Sequence, residues 1–164
     1  MEAATMLARY ALQFADIMII ALLAGSVFGI WRGYDPTGYS PAAFLEIHQG
    51  AVRGLNTLLP AMGAAAIVFT GILAWSAKGT TLPFRLYIVA MAAMITAALV
   101  TRFGNQPINA TVMTWTAGDM PSGWEELRDT WWRWHLLRAT AIMAALATLV
   151  AAVMADVAGR SIPS

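Results

Sequence analysis

Four apolar runs dominate the chain: Tyr10 to Ile30, interrupted by one charge at Asp16; Gly54 to Ala77, with none; Leu86 to Thr101; and Ala139 to Ala155. A membrane-spanning helix needs about 20 residues, with a range of roughly 17 to 25. The last two runs gain comfortable span length only by taking in Arg102 and Arg138, which places those arginines at or inside the membrane boundary. The pattern predicts an all-α fold, a four-transmembrane-helix bundle forming one domain over residues 1–164. Four spans put both termini on one side. Side A then holds the termini and the short turn from Ser76 to Pro83, and side B holds the segments 31–53 and 102–138.

The polar positions refine this picture. Ser40 and Pro41 are N-cap and first-turn signals, and no stop follows until Lys78-Gly79. The second helix is therefore expected to be long, roughly 35 residues and about 52 Å at 1.5 Å each, and bent near Pro60. At about 100° per residue, Glu46, Gln49, Arg53 and Asn56 share one face, while His48 points nearly opposite with Phe44, Val52 and Leu55. The polar face is read here as turned to a site, the other reading being a solvated helix end. In the last helix Arg128, Trp131, His135 and Arg138 recur at spacings of 3, 4 and 3 on one stripe. Trp132 and Trp134 suit an aromatic belt at the membrane surface. An ionisable residue one turn inside an apolar span, as His135 and Arg138 are, is costly and normally faces the protein interior or a wet cavity. Between the third and fourth helices, Asn105, Gln106 and Asn109 surround Pro107. The proline is expected to end the third helix and leave an irregular polar segment lining a cavity, since irregular backbone survives at membrane depth only where protein or water satisfies it.

Composition sharpens the class. The 164 residues are 59% apolar and 12% charged, with a mean hydropathy of +0.63, which marks an integral, multi-pass membrane protein. A net charge of +1 gives no basic surface for nucleic acid. With no cysteine, disulfides and thiolate metal sites are excluded. Side B carries six of the ten basic residues, six of the nine acids, both histidines and six of the seven tryptophans. No metal is expected: the two histidines form no HxxxH or ExxH pair, and Glu46 and His48 diverge on a helix. Asp16 lies in the first span toward side A, within reach of Thr70 or Ser76. Gly25 and Gly29 form a GxxxG, and the fourth span is alanine-rich, both suited to close helix packing; a homo-oligomer stays open. Free positive residues in short loops lean the termini toward the cytoplasm.

Four stretches carry a resemblance: AGSVFGIW in the first span, EIHQGAVRGLNTLLP opening the second, NQPIN-x5-W after the third, and W-x3-H-x2-R opening the fourth. Together they resemble the anthrone-oxygenase-like group of small four-helix membrane proteins. Position by position, the likeness points to Asn105, Pro107, Asn109, Trp115, Trp131, His135 and Arg138. It implies a cofactor-independent oxidoreductase, a monooxygenase that uses O2 on a hydrophobic aromatic substrate. In that scheme His135 is the base, Arg138 and Arg53 hold developing negative charge, and Asn105 and Asn109 donate to substrate oxygens, with Asn56 and Gln49 on the same polar face. Trp131 would form a stacking wall, with Trp115 beside it. The competing class is a non-enzymatic membrane bundle binding a lipid, a quinone or a protein partner.

Overall fold

A computed structural model of the protein describes residues 2–161. Six α-helices carry the chain: α1 (Glu2–Gly33), α2 (Pro41–Leu55), α3 (Leu58–Ser76), α4 (Thr81–Val100), α5 (Gln106–Val112) and α6 (Trp124–Ser161). Among the described residues there are no strands, only an isolated bridge between Thr116 and Asp119. Four helical stretches are long and apolar enough to cross a membrane: Ala3–Gly38, Leu58–Ser76, Thr81–Val112 and Trp124–Arg160. Their outer faces are apolar, with Phe103, Trp75 and Leu7 each at least 70% exposed, a surface suited to hydrocarbon.

The long second helix comes as two pieces. Ser40 caps α2 by accepting from the Ala43 amide at 3.3 Å, and the chain turns at Asn56–Thr57 before α3 begins. The break falls four residues before Pro60 because a proline removes its own N–H and crowds the carbonyl four positions earlier. The expected bend is thus a discontinuity, and α2 leaves the bundle to pack on α5.

The NQPIN segment corrects an expectation, for Pro107 does not end the third helix. A single π-turn over Thr101–Asn105 joins α4 to α5, with the Gln106 amide bonding the Thr101 carbonyl, so the rod runs unbroken to Val112. Widening the turn gives the proline ring its room, the usual function of an inserted residue in a helix. The same turn presents Gly104 to the Trp134 indole so closely that a Cβ there would lie 2.7 Å from the ring. The irregular segment begins only at Met113 and ends at Gly123, whose φ of +79° favours glycine.

Two cores follow. Ile20, Leu23, Val27, Leu73, Met94 and Leu149 interlock with Ala66, Ala90, Ala139, Ala145 and Ala152 in the spanning part of the bundle. The alanines let the helices approach closely. Gly25 and Gly29 take no part in this, since a Cβ on either would meet nothing within 4 Å. The second core, Tyr34, Phe44, Leu45, Ile108, Val112, Trp124 and Trp131, lies at end B and clamps α2 and α5 over the start of α6.

Candidate functional site

At the join between the two cores, Trp131 organises a polar site. Its indole N–H donates to Asn109 Oδ1 at 2.8 Å, and Asn109 Nδ2 donates to Asn56 Oδ1 at 2.9 Å. Its carbonyl accepts from Asn105 Nδ2 at 3.1 Å. The ring lies nearly parallel to His135, with centroids 5.3 Å apart, and meets His48 edge-on at 4.7 Å. Three separate helices are thereby held around one side chain, which is why the EIHQ and WWRWH stretches share one end of the molecule.

His135 is fully buried and both its ring nitrogens are engaged. Nε2 lies 3.1 Å from the Val27 carbonyl, which only accepts, so Nε2 carries the proton. Nδ1 then accepts from the Arg138 guanidinium, at 3.3 Å from Nε and 3.0 Å from Nη2. The histidine fixes the arginine. Among the described residues Arg138 has no carboxylate within ion-pair distance; the ion pairs found are Arg9–Asp156, Arg128–Asp129 and Arg160–Asp156.

The guanidinium faces two lobes of a cavity. A polar lobe of about 50 Å³ is bounded by Tyr34, His48, Asn56, Thr101, Asn109 and Trp131, with Arg138 at its base. An apolar lobe of about 200 Å³ runs on from Arg138 between α3 and α4, past Gly63, Ile67, Met94 and Ala97. Two buried polar atoms of the polar lobe, Tyr34 Oη and His48 Nε2, have no hydrogen-bond partner among the described residues. Leaving such an atom unpaired costs about 1–3 kcal/mol. Burial holds the His48 imidazole down to about 4, the Arg138 charge pushing the same way and the Asn109 side chain partly opposing. His48 is therefore neutral at physiological pH and able to accept a proton.

The sequence of one family, described as anthrone oxygenase, matches residues 50–148, well over half of the chain. The protein belongs to the anthrone oxygenase family. No curated protein and no solved structure matches it. The stretch matching the anthrone oxygenase family carries Asn109, Trp131, His135 and Arg138, whereas Tyr34 and His48 lie outside it.

The residues singled out from the sequence divide on the structure. Arg138, Asn109, Asn56 and Trp131 line the cavity. His135 stands behind Arg138, and neither it nor Asn105 lines a lobe; Asn105 is fully buried with Oδ1 unpartnered. Gln49 donates to the carbonyls of Val112 and Trp115, both at 3.0 Å, and so ties α2 to the end of α5. Trp115 packs on the outside of the second core. Arg53 is exposed on the far face of α2, as is Glu46. The helical wheel does not divide α2 as the structure does: Phe44, His48 and Val52, placed away from the site, turn inward, together with Gln49 and Asn56 from the polar face. His48 was set aside because the wheel puts it on an apolar helix face, and Tyr34 escaped notice because a tyrosine in a turn looks like ordinary core in a sequence. Among the described residues no three His, Asp or Glu side chains gather as metal ligands.

Proposed function

We propose that this protein oxidises a hydrophobic aromatic substrate with O2 at the Arg138 cavity, within a bilayer crossed by its four long helices with the termini on the cytoplasmic side. The observation that carries the reading is the guanidinium without a carboxylate partner, facing a cavity whose wall also holds the unpartnered His48 Nε2 and Tyr34 Oη. An anionic oxygen would satisfy Arg138 and accept from Tyr34 Oη, leaving the His48 imidazole free to take a proton from carbon.

The substrate expected is an anthrone-type compound, with a CH2 flanked by aromatic rings and a carbonyl across the ring. Neutral His48 would take one proton from that carbon. Arg138, held by His135, would stabilise the negative charge that moves onto the carbonyl oxygen, an electrostatic contribution largest in a water-poor site. Tyr34 Oη would donate to the same oxygen or to the oxygen species formed next. The anion carbon then bonds one atom of O2, and the proton held by His48 returns to the outer oxygen, giving a hydroperoxide. Breaking the O–O bond with loss of the second hydrogen of that carbon yields the ketone and one water. O2 accepts the electrons throughout, and the role assigned here to His48 replaces the one that the family likeness gave His135.

Oxygen uptake by the protein purified in detergent, with anthrone as substrate, tests this reading. Uptake above the uncatalysed rate is expected, and Arg138→Gln should lower it about 10²- to 10³-fold, the usual cost of removing one charge-stabilising donor. Uptake no faster than in protein-free detergent, or an unimpaired Arg138→Gln variant, would reject it.

A further inference from the structure

The apolar lobe bears on how a ligand arrives and what it must look like. Its wall is made of small side chains where α3 and α4 run side by side: Gly63 and Ala64 on α3, Ala97 and Ala98 on α4. Ala64 and Ala98 line the lobe and are also exposed on the outside of the bundle, so the lobe opens sideways between these helices. Ala64 stands about 9 Å along α3 from Leu58 at 1.5 Å per residue. That depth lies within the hydrocarbon zone of a bilayer whose core is about 30 Å thick. Arg102, exposed and with no carboxylate partner among the described residues, and Gln106 mark the polar rim of the opening.

The lining also discriminates between ligands. The two lobes, about 50 and 200 Å³, together sit just under the roughly 300 Å³ at the low end of drug-sized clefts. That suits a compact rigid body better than a two-chain lipid. The Met94 thioether in the apolar lobe favours contact with an aromatic ring, and a guanidinium plane can stack on a ring face. At the inner end, the donors Arg138 and the unpartnered Tyr34 Oη call for a single oxygen able to carry negative charge.

We infer that the ligand enters from the bilayer through the gap between α3 and α4, with its oxygen leading to Arg138. This rests on the site of the proposed function but not on turnover. The water-side route past α2, by Ala51 and Val52 on the polar lobe, is the alternative path.

Binding is measured in phosphatidylcholine nanodiscs by quenching of tryptophan emission, with 2-hydroxyanthraquinone as a stable probe and anthraquinone as its counterpart without the hydroxyl. The hydroxylated probe should bind at least ten-fold more tightly, and Arg138→Gln should remove that preference. Ala64→Trp combined with Ala98→Trp should slow association at least ten-fold, Ala98→Leu less, while Val68→Trp, at an exposed position on α3 outside both lobes, leaves the rate near wild type. Both portal positions face outward, and thermal unfolding of each variant checks that it folds. Equal binding of the two probes, unchanged association in the portal variants, or an equal slowing by Val68→Trp would overturn the inference. So would stoichiometric co-purification of an anionic phospholipid that Arg138→Gln abolishes, which would give the cavity to a lipid headgroup. Probe binding as described without oxygen uptake sinks only the proposed reaction. Oxygen uptake at normal rates in the portal variants sinks only the entry route.

Discussion

The bundle buries polar groups at both ends, and the two sets are built differently. At end A, Asp156 accepts from Arg9 Nε and Gln13 Nε2, each at 2.7 Å, and from Arg160 Nε at 3.3 Å. Arg9 goes on to Ser76 Oγ at 2.6 Å, Gln13 reaches Tyr87 Oη at 3.0 Å, and Thr70 donates to Asp16 at 2.7 Å. Charges of both signs meet there, and neither cavity lobe reaches them. At end B the guanidinium of Arg138 is held by a neutral histidine and looks into open space. Among the described residues both ends leave buried atoms unpaired, Arg9 Nη2 and Asp16 Oδ1 at one, Asn105 Oδ1 and the pair Tyr34 Oη and His48 Nε2 at the other. What separates them is that the second pair shares a cavity wall with an unneutralised charge. Matched charge locks helices together, whereas unmatched charge beside a cavity is arranged for something that arrives later.

The largest effect should come from exchanging the two histidines' roles by mutation. His48→Ala removes the proton acceptor and is expected to lower kcat/KM about 10²- to 10⁴-fold. His135→Ala loosens Arg138 without removing it and should cost less. Oxygen uptake by the two variants decides the order, and a larger loss for His135→Ala would return the base to that residue. The pH profile tests the same assignment. The deprotonated imidazole is the active form, and in the ligand-free protein burial holds His48 down to about 4. The kcat/KM of the wild type should therefore stay level as pH falls through 6.5 and decline only toward 4. A fall centred near 6.5 would mean that the group taking the proton is solvated, and would remove buried His48 from that role.

End A should answer differently. Asp156 is 2% exposed, and Asp156→Ala strands the Arg9 charge beneath the membrane surface. Breaking a buried pair by removing one partner costs about 3–5 kcal/mol, so thermal stability in detergent should drop sharply. Oxygen uptake per folded molecule should hold. Activity lost in proportion to Asp156 rather than to folded protein would erase the contrast between the ends.

A smaller structural effect is expected at the π-turn. Gly104→Ala drives a Cβ against the Trp134 ring, and overpacking of this kind costs about 1–3 kcal/mol. The loss should show in thermal unfolding and be relieved by Trp134→Leu. This position explains why part of the fold was hidden in the sequence. The four spans, their order and the gathering of polar groups at end B were legible because hydrophobic runs report directly on burial in lipid. Asp16 was legible only in part: Thr70 and Ser76 were both partners within reach, and the structure takes Thr70. Pro107 was read as a helix end because local rules treat it as one, yet a single π-turn was enough to carry the helix past it. Trp134, 30 residues away, lies against that turn at Gly104, and no local pattern reports such a contact.

The smallest expected effect tests the misread face of α2. Arg53 is charged, lies near the membrane boundary and sits one turn from Asn56, and from the sequence it looked like a ligand for substrate oxygen. The structure leaves it exposed, outside both lobes, on the side of α2 away from Trp131. An exposed charge with no close partner contributes within about 0.5 kcal/mol either way, so Arg53→Ala should leave stability unchanged. Its distance from the cavity predicts oxygen uptake within two-fold of wild type. Asn56→Ala, three residues on, removes the acceptor that Asn109 Nδ2 uses at 2.9 Å. That loss frees the Asn109 amide to rotate and loosens its hold on the Trp131 indole, so activity should fall noticeably further than for Arg53→Ala. Matching losses in the two variants would show that α2 presents its charged face to the substrate during turnover, which would require the helix to roll about its axis and take His48 out of the cavity.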